Sequence, residues 1–172
     1  MESPNKADAL RIVSEELEGL RQRIIANHIS ANQVASGRTK ASLVIEMGGE
    51  GGVLYGRFPF GTLETGRKGG NVPKNFADII RQWIIDKGIS VSPIKYVRKP
   101  SERWQPKYTP EERGLRSLAD AIAHKIAESG TELYREGGRN DIYSPEINKT
   151  LERIEERISM LFVAEIDNIP LN

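Results

Sequence analysis

Leu43-Val44-Ile45-Glu46-Met47-Gly48-Gly49-Glu50-Gly51-Gly52-Val53-Leu54-Tyr55 is the stretch that decides the fold class. Leu43, Ile45 and Met47 alternate with Val44 and Glu46, the period of two that sends successive side chains to opposite faces of a strand. The run from Gly48 to Gly52 carries neither strand nor helix cheaply, because glycine loses the most backbone freedom on ordering. It predicts a flexible hairpin connection, with Val53-Leu54-Tyr55 as the returning strand. A two-strand ribbon is marginal in water by itself, so helices must cover one of its faces.

Those helices are legible on both sides. Upstream, Leu10, Val13, Leu17, Leu20, Ile24 and His28 recur at spacings of three and four, predicting a helix capped by Ser3 and opened by Pro4. Its other side, with Glu15, Glu16, Glu18, Arg21 and Arg23, is expected to meet water. Gly19 is expected to weaken its middle by about 1 kcal/mol relative to alanine. Downstream, a helix over 76–87 carries Phe76, Ile79, Ile80, Trp83 and Ile84 and stops at Gly88, a position suited to a left-handed cap. Thr109-Pro110-Glu111-Glu112 is a capping box with proline at the first helical position. Behind it Leu115, Leu118, Ala119, Ile122, Ala123 and Ile126 share one face, and the helix pauses at Ser129-Gly130. Core burial is expected for Phe76, Ile79, Trp83, Leu115, Leu118 and Ile122.

Ser144-Pro145 opens a last helix bearing Ile147, Leu151, Ile154, Ile158 and Leu161. Glu152, Arg153, Glu155, Glu156 and Arg157 alternate in sign around its polar face, which suits solvent or an adjacent subunit, solvent being the preferred partner. Residues 162–166 are expected to form a closing strand. The reading is an α+β fold, helix-dominated, with a small antiparallel sheet packed against several helices and a long extended insertion. It is taken as one domain over 1–172, with a core over about 5–90 and 109–170 and an extended loop over 89–108.

Composition narrows function. Hydrophobic residues are 38% and charged residues 28% of 172, with a mean hydropathy of −0.48, so much of the surface is polar or is buried only against neighbouring subunits. Lys+Arg 25 against Asp+Glu 24 leaves +1, without the basic excess that gripping nucleic acid calls for. The absence of cysteine excludes disulfides, thiolate catalysis and cysteine-based zinc sites, and fits a reducing cytoplasm. No apolar run approaches the roughly 20 residues that cross a bilayer, and Met1-Glu2-Ser3-Pro4 has no signal-peptide core behind it. A cytosolic, soluble and unanchored chain is expected.

No residue pattern points to chemistry. His28 and His124 lack a histidine at helical spacing, and Asp120, four residues before His124, suits a helix-face hydrogen bond. Glu46, Glu50 and Glu64 have nothing nearby to split their pKa values. Gly48 to Gly52 and Gly66-Arg67-Lys68-Gly69-Gly70 lack the spacing of a phosphate loop and read as loop tips. Neither catalytic residues nor a cofactor or metal is expected.

The sharper signal is the mixture of cations and aromatics in irregular chain: Arg67 and Lys68, then Lys95, Tyr96, Arg98, Lys99, Arg103, Trp104, Lys107 and Tyr108. It suits base stacking and phosphate contact, docking on acidic protein neighbours, or a solvated loop; docking is preferred. The candidate interface is Phe58, Phe60, Arg67, Lys68, Arg98, Lys99, Arg103 and Trp104.

Ser36-Gly37-Arg38-Thr39-Lys40-Ala41-Ser42-Leu43 resembles the Thr/Ser-Gly-Arg/Lys-x-x-x-Ser-Leu/Ile pattern that leads into the first strand of tail-completion proteins of tailed bacteriophages. Tyr55 with Phe60-Gly61-Thr62 resembles their Tyr-x-x-x-x-(Glu/aromatic)-Gly-Thr segment. The resemblance covers most of 5–90 and, more loosely, the last two helices; it departs at 89–108 and in the helical material after it, which leaves the layer of the neck open. Gly66 to Gly70, and Leu133-Tyr134-Arg135-Glu136-Gly137-Gly138-Arg139-Asn140-Asp141-Ile142-Tyr143-Ser144, are similar to proteins of phages of gut Bacteroidales, including the crAss-like group.

The resemblance implies a structural, non-enzymatic virion subunit of the neck. It would form a homo-oligomeric head–tail connector ring of twelve copies between portal-side adaptor and tail-side proteins. DNA would pass through the channel, and assembly would take place in the host cytoplasm. The alternative, from the residues alone, is a small nucleic-acid-binding accessory protein using the basic–aromatic loop over 94–108.

Overall fold

A computed structural model describes residues 4–97 and 106–167. The chain divides into two compact units, Met1–Glu64 with Arg139–Asn172, and Thr65–Gly138. The fold is α+β and helix-dominated, with a two-strand antiparallel sheet packed against helices.

The first unit begins with the predicted amphipathic helix, α1 (Pro4–Ser30). A short α2 (Arg38–Ala41) leads into β1 (Val44–Gly48) and β2 (Gly51–Tyr55), and a 3-10 turn over Phe58–Gly61 runs into α3 (Thr62–Thr65). Pairing runs from Val44 opposite Tyr55 to Gly48 opposite Gly51, so only Gly49 and Glu50 make the turn. The glycine run expected as a loose connection is therefore mostly strand. Gly52 is needed there: a Cβ would stand 2.6 Å from Leu17 Cδ1 of α1 and 2.5 Å from Met47 Sδ. Ile45 and Leu54 pair on the face turned to α1, while Val44, Glu46, Val53 and Tyr55 share the opposite face. Leu20, Ile24, Leu43 and Ile142 form the buried cluster, with Leu17, Leu54, Phe60, Leu63 and Tyr143 against it.

The unit is completed by α7 (Ser144–Asp167), which continues through the stretch expected as a closing strand. The apolar spacing of three and four persists through Ile154, Ile158 and Leu161, whose positions are at least half-buried, and that contact overrides the β preference of Phe162 and Val163. Helices α1 and α7 run antiparallel, as two sets of ion pairs show. Arg23 Nε lies 2.8 Å from Glu146, and its Nη2 donates to Thr150 Oγ1 at 2.7 Å. At the other end Arg157 reaches Glu15 at 2.6 Å and Glu16 at 2.9 Å. Two expectations are corrected here. The charged side of α1 does not simply meet water, since the Glu16 side chain is only 13% exposed. On α7, Arg157 pairs within the chain, with Glu15 and Glu16 of α1.

The second unit holds α4 (Phe76–Asp86), α5 (Pro110–Ser129) and α6 (Glu132–Arg135). Gly88 has φ 66° and ends the α4 segment as its sequence indicates. Thr109 Oγ1 accepts from the Glu112 N–H at 3.2 Å, and the Glu112 carboxylate accepts from Arg116. Phe76, Ile80 and Ile84 pack on Ala119 and Ala123, flanked by Leu115, Leu118 and Ile122. Ile79 and Trp83 depart from their expected burial, at 47% and 38% exposed. The two small alanines leave α5 contacting one narrow row of α4, and Ile79 and Trp83 stand to one side of that row. The described start of the insertion is anchored, because Val91 packs on the core and the Ile94 N–H donates to the Pro110 carbonyl at 2.9 Å.

Candidate functional site

The eight candidate interface residues separate into three groups. Arg98, Lys99, Arg103 and Trp104 lie outside the described residues. Phe58 is fully exposed, at 101%, and Lys68 is exposed. Phe60 and Arg67 are committed inside their own units. The Phe60 ring sits 5.6 Å from that of Tyr143 and packs against the first unit's core, so its apolar surface is already used.

Arg67 belongs to a segment that is packed down and forms no loop tip. Its N–H donates to Thr131 Oγ1 at 2.9 Å, the Thr131 N–H returns to the Arg67 carbonyl at 2.9 Å, and the Gly70 N–H donates to Ala127 at 2.7 Å. Gly66, at φ 66°, comes so close to the α6 backbone that a Cβ would stand 2.5 Å from the Tyr134 nitrogen. The Arg67 guanidinium donates to the Asn71 carbonyl at 2.8 Å and lies 5.2 Å from the centre of the Phe76 ring. Close packing, unseen in the local sequence, is the reason for glycine here.

The described flanks of the basic–aromatic loop are also engaged. The Arg116 guanidinium lies 4.0 Å from the Tyr108 ring centre, Lys107 Nζ 5.4 Å from the same ring, and Arg113 5.4 Å from the Tyr96 ring. Aromatic faces covered by the chain's own cations are poor platforms for bases.

Exposed apolar surface gathers on the hairpin. On its outer face Val44, Val53 and Tyr55 are each 50% exposed, Glu46 stands among them and Glu50 at the turn, and Phe58 follows two residues after Gly56. A shallow hollow is lined by residues 46–53 and Tyr55. The backbone of these strands has no hydrogen-bonded neighbour beyond the hairpin itself among the described residues.

Glu64 is the polar centre that sequence reasoning missed. It is 4% exposed, and its Oε1 accepts from the main-chain N–H groups of Ile142 at 2.9 Å, Tyr143 at 2.7 Å and Ser144 at 3.0 Å. Ser144 Oγ donates to its other oxygen, and the Glu64 carbonyl accepts from the Arg139 N–H at 2.8 Å. The carboxylate thus caps α7 from 78 to 80 residues away in sequence. Burial pushes its pKa up, but the bonds from Ser144, Tyr143 and Ile142 outweigh burial and hold it below the ordinary carboxylate range. Every oxygen is occupied by structure, which makes this a staple and leaves no free acid or base. No local motif announces such a long-range cap.

Among the described residues no group of three or more His, Asp or Glu is placed to hold a metal ion. No described helix is long and apolar enough to cross a membrane. His28 is buried and His124 exposed. No family model, no curated protein and no solved structure matches the chain.

Proposed function

We propose that this chain is a structural, non-enzymatic subunit of a phage neck, built into a homo-oligomeric head–tail connector ring with DNA passing through its channel. The observation that carries the reading is the bare hairpin: a two-strand sheet whose edges have no strand partner among the described residues, with Val44, Val53 and Tyr55 half exposed on its outer face and a fully exposed Phe58 in the turn that follows. Open edges and a large exposed apolar face are liabilities that isolated proteins ordinarily blunt. A ring removes them by setting a neighbouring copy against every subunit. The likeness of residues 36–43 and 55–62 to tail-completion proteins supports the same reading.

Native mass spectrometry of the chain, alone and with portal-side and tail-side neighbours, tests it. A closed oligomer is expected, twelve-fold if the family pattern holds. Phe58→Ser with Val53→Ser should leave the circular dichroism of the chain unchanged and abolish assembly. A chain that stays single beside those neighbours, or assembly indifferent to both substitutions, would refute the reading. Tight, salt-sensitive binding of an oligonucleotide by the single chain would favour the nucleic-acid accessory role.

A further inference from the structure

Exposed apolar residues are spread over the hairpin, α4 and the far end of α7, and none of these surfaces specifies what covers it. The contact that is fully specified is one the chain makes with itself, between residues 1–64 and the arm that begins at Arg139 and runs through α7. Ile142, with no exposed surface, fills the cluster of Leu20, Ile24 and Leu43, and Asn27 Nδ2 donates to its carbonyl at 3.1 Å. Tyr143 sets its ring beside Phe60, and its hydroxyl donates to the Gly61 carbonyl at 3.2 Å. Glu64 caps the helix of the arm, and the pairs made by Arg23 and Arg157 fix its register. Without an arm, the 1–64 segment lacks Ile142 in its core, and the buried Glu64 carboxylate loses the donors named above. The whole of 65–138, which closes a core of its own, separates the arm from the segment it completes.

One short connection joins the arm to the second unit. The Gly137 N–H donates to the Tyr134 carbonyl at 3.2 Å and the Gly138 N–H to the Leu133 carbonyl at 2.8 Å, which closes the end of α6. The very next N–H, that of Arg139, donates to the Glu64 carbonyl at 2.8 Å. No residue separates the last tie on one side from the first on the other. Gly137 and Gly138 have φ of 91° and 84°, and a Cβ at Gly137 would meet nothing within 4 Å, so glycine serves conformation here and not close packing. Turning the arm about Gly138 leaves the closure of α6 in place. Short connections of this type invite exchange of an element between copies. The same contacts form whether the arm folds onto its own chain or onto another, so only the connection and the concentration separate the two states.

We propose that in the assembled ring the arm of each copy leaves its own 1–64 segment and completes that of the next copy. The inference rests on the connector reading and supplies its subunit contact. Glu64 of one copy then caps α7 of another, and Arg157 of one copy meets Glu15 and Glu16 of the next. Passed from copy to copy, the exchange is head to tail, the kind of contact from which rings close.

The chain has no cysteine, so a pair introduced at this contact reports on it alone. Glu15 and Arg157, 2.6 Å apart and both partly exposed, are the sites. The full-length chain with Glu15→Cys and Arg157→Cys, assembled with its neck neighbours and treated with a short bis-maleimide, should run on a denaturing gel as covalent multimers. Co-expressed chains carrying one substitution each should give a linked pair with one chain of each kind; the Glu15→Cys chain keeps the Arg157–Glu16 pair. Circular dichroism and native mass spectrometry check that the variants fold and assemble as the parent does. Inserting about six Gly and Ser residues after Gly138 should return the linked product to the single chain, because a longer connection removes the constraint that favours exchange. An assembled oligomer whose links all lie within single chains, with no product from the co-expressed pair, would overturn the exchange and leave the ring reading standing. Links between chains that stop at reciprocal pairs would keep the exchange and overturn the ring. A chain that stays single beside its neighbours would overturn both. Multimers indifferent to the insertion would overturn the short connection as their cause.

Discussion

Residues 65–138 close around one uninterrupted apolar seam, Phe76, Ile80 and Ile84 against Ala119 and Ala123. The other unit has to join two stretches of chain separated by that whole insertion, and it does so with the apolar cluster of Leu20, Ile24, Leu43 and Ile142 together with ion pairs between its helices. Arg23 meets Glu146 at one end of the α1–α7 pair and Arg157 meets Glu15 and Glu16 at the other, while Glu64 ties α3 to the start of α7. Apolar contact is non-directional; it would hold α7 against α1 in several registers, and the two sets of ion pairs are satisfied together in only one. The contrast teaches that a split chain needs directional ties where a continuous one can rely on packing.

The largest break in that contrast should come from Glu64→Ala. Three main-chain N–H groups and the Ser144 hydroxyl would lose their acceptor, a loss of about 4 kcal/mol. Chemical denaturation monitored by amide exchange should show Ile142, Tyr143 and Ser144 losing protection while Gly70 and Thr131 keep theirs. Acid should act in the same place. The folded pKa of Glu64 lies below its unfolded value, so its stabilisation is complete above the ordinary carboxylate range and disappears as pH falls through the lower folded value. Glu15, hydrogen-bonded by Arg157, and Glu146, raised by burial but lowered further by Lys149 and Arg23, shift in the same direction. The first unit should therefore lose amide protection before the second on acidification, after correction for intrinsic exchange. Simultaneous loss in both would end the contrast.

Ile84→Ala probes the opposite side. Ile84 is 1% exposed at the centre of the α4–α5 seam, and its truncation should cost about 3 kcal/mol with no change in the acid response. An effect that spread equally to Ile142 and Tyr143 would mean that the units unfold as one.

How far the sequence foretold this architecture depends on distance along the chain. The hairpin, α1, α4, the Thr109 cap and the start of α7 were all legible, because their signals lie within a few residues: alternation, stripes of three and four, a threonine before Pro-Glu-Glu. Glu64 was not, since its partners follow about eighty residues later and nothing around it marks a cap. The Gly66 to Gly70 segment misled for a similar reason: glycine for close packing and glycine for a free loop look identical in one dimension. Ile79 and Trp83 satisfied a helical stripe but not the narrow width that Ala119 and Ala123 allow. Of the candidate interface, Phe58 and Lys68 are exposed, whereas Phe60 and Arg67 are already occupied.

The smallest expected effect sharpens the contrast most finely. Gly19 lies in the middle of α1, and helix propensity alone says that Gly19→Ala should stabilise by about 1 kcal/mol. Yet a Cβ at that position would stand 3.0 Å from Arg23 Nη1, the side chain that reaches Glu146 and Thr150 on α7. Making room for the methyl group means displacing a guanidinium that fixes the register of two helices. The gain in propensity and the loss of that tie should nearly cancel, so Gly19→Ala in the intact chain should change stability by less than about 0.5 kcal/mol. In an Arg23→Ala background the methyl group meets nothing, and the same substitution should recover most of its intrinsic gain. The coupling is therefore predicted to be positive and close to the propensity difference itself, as a double-mutant cycle by urea denaturation would measure. A full gain in the intact chain would show that Arg23 moves aside at no cost, and that the first unit's register does not depend on where that guanidinium lies.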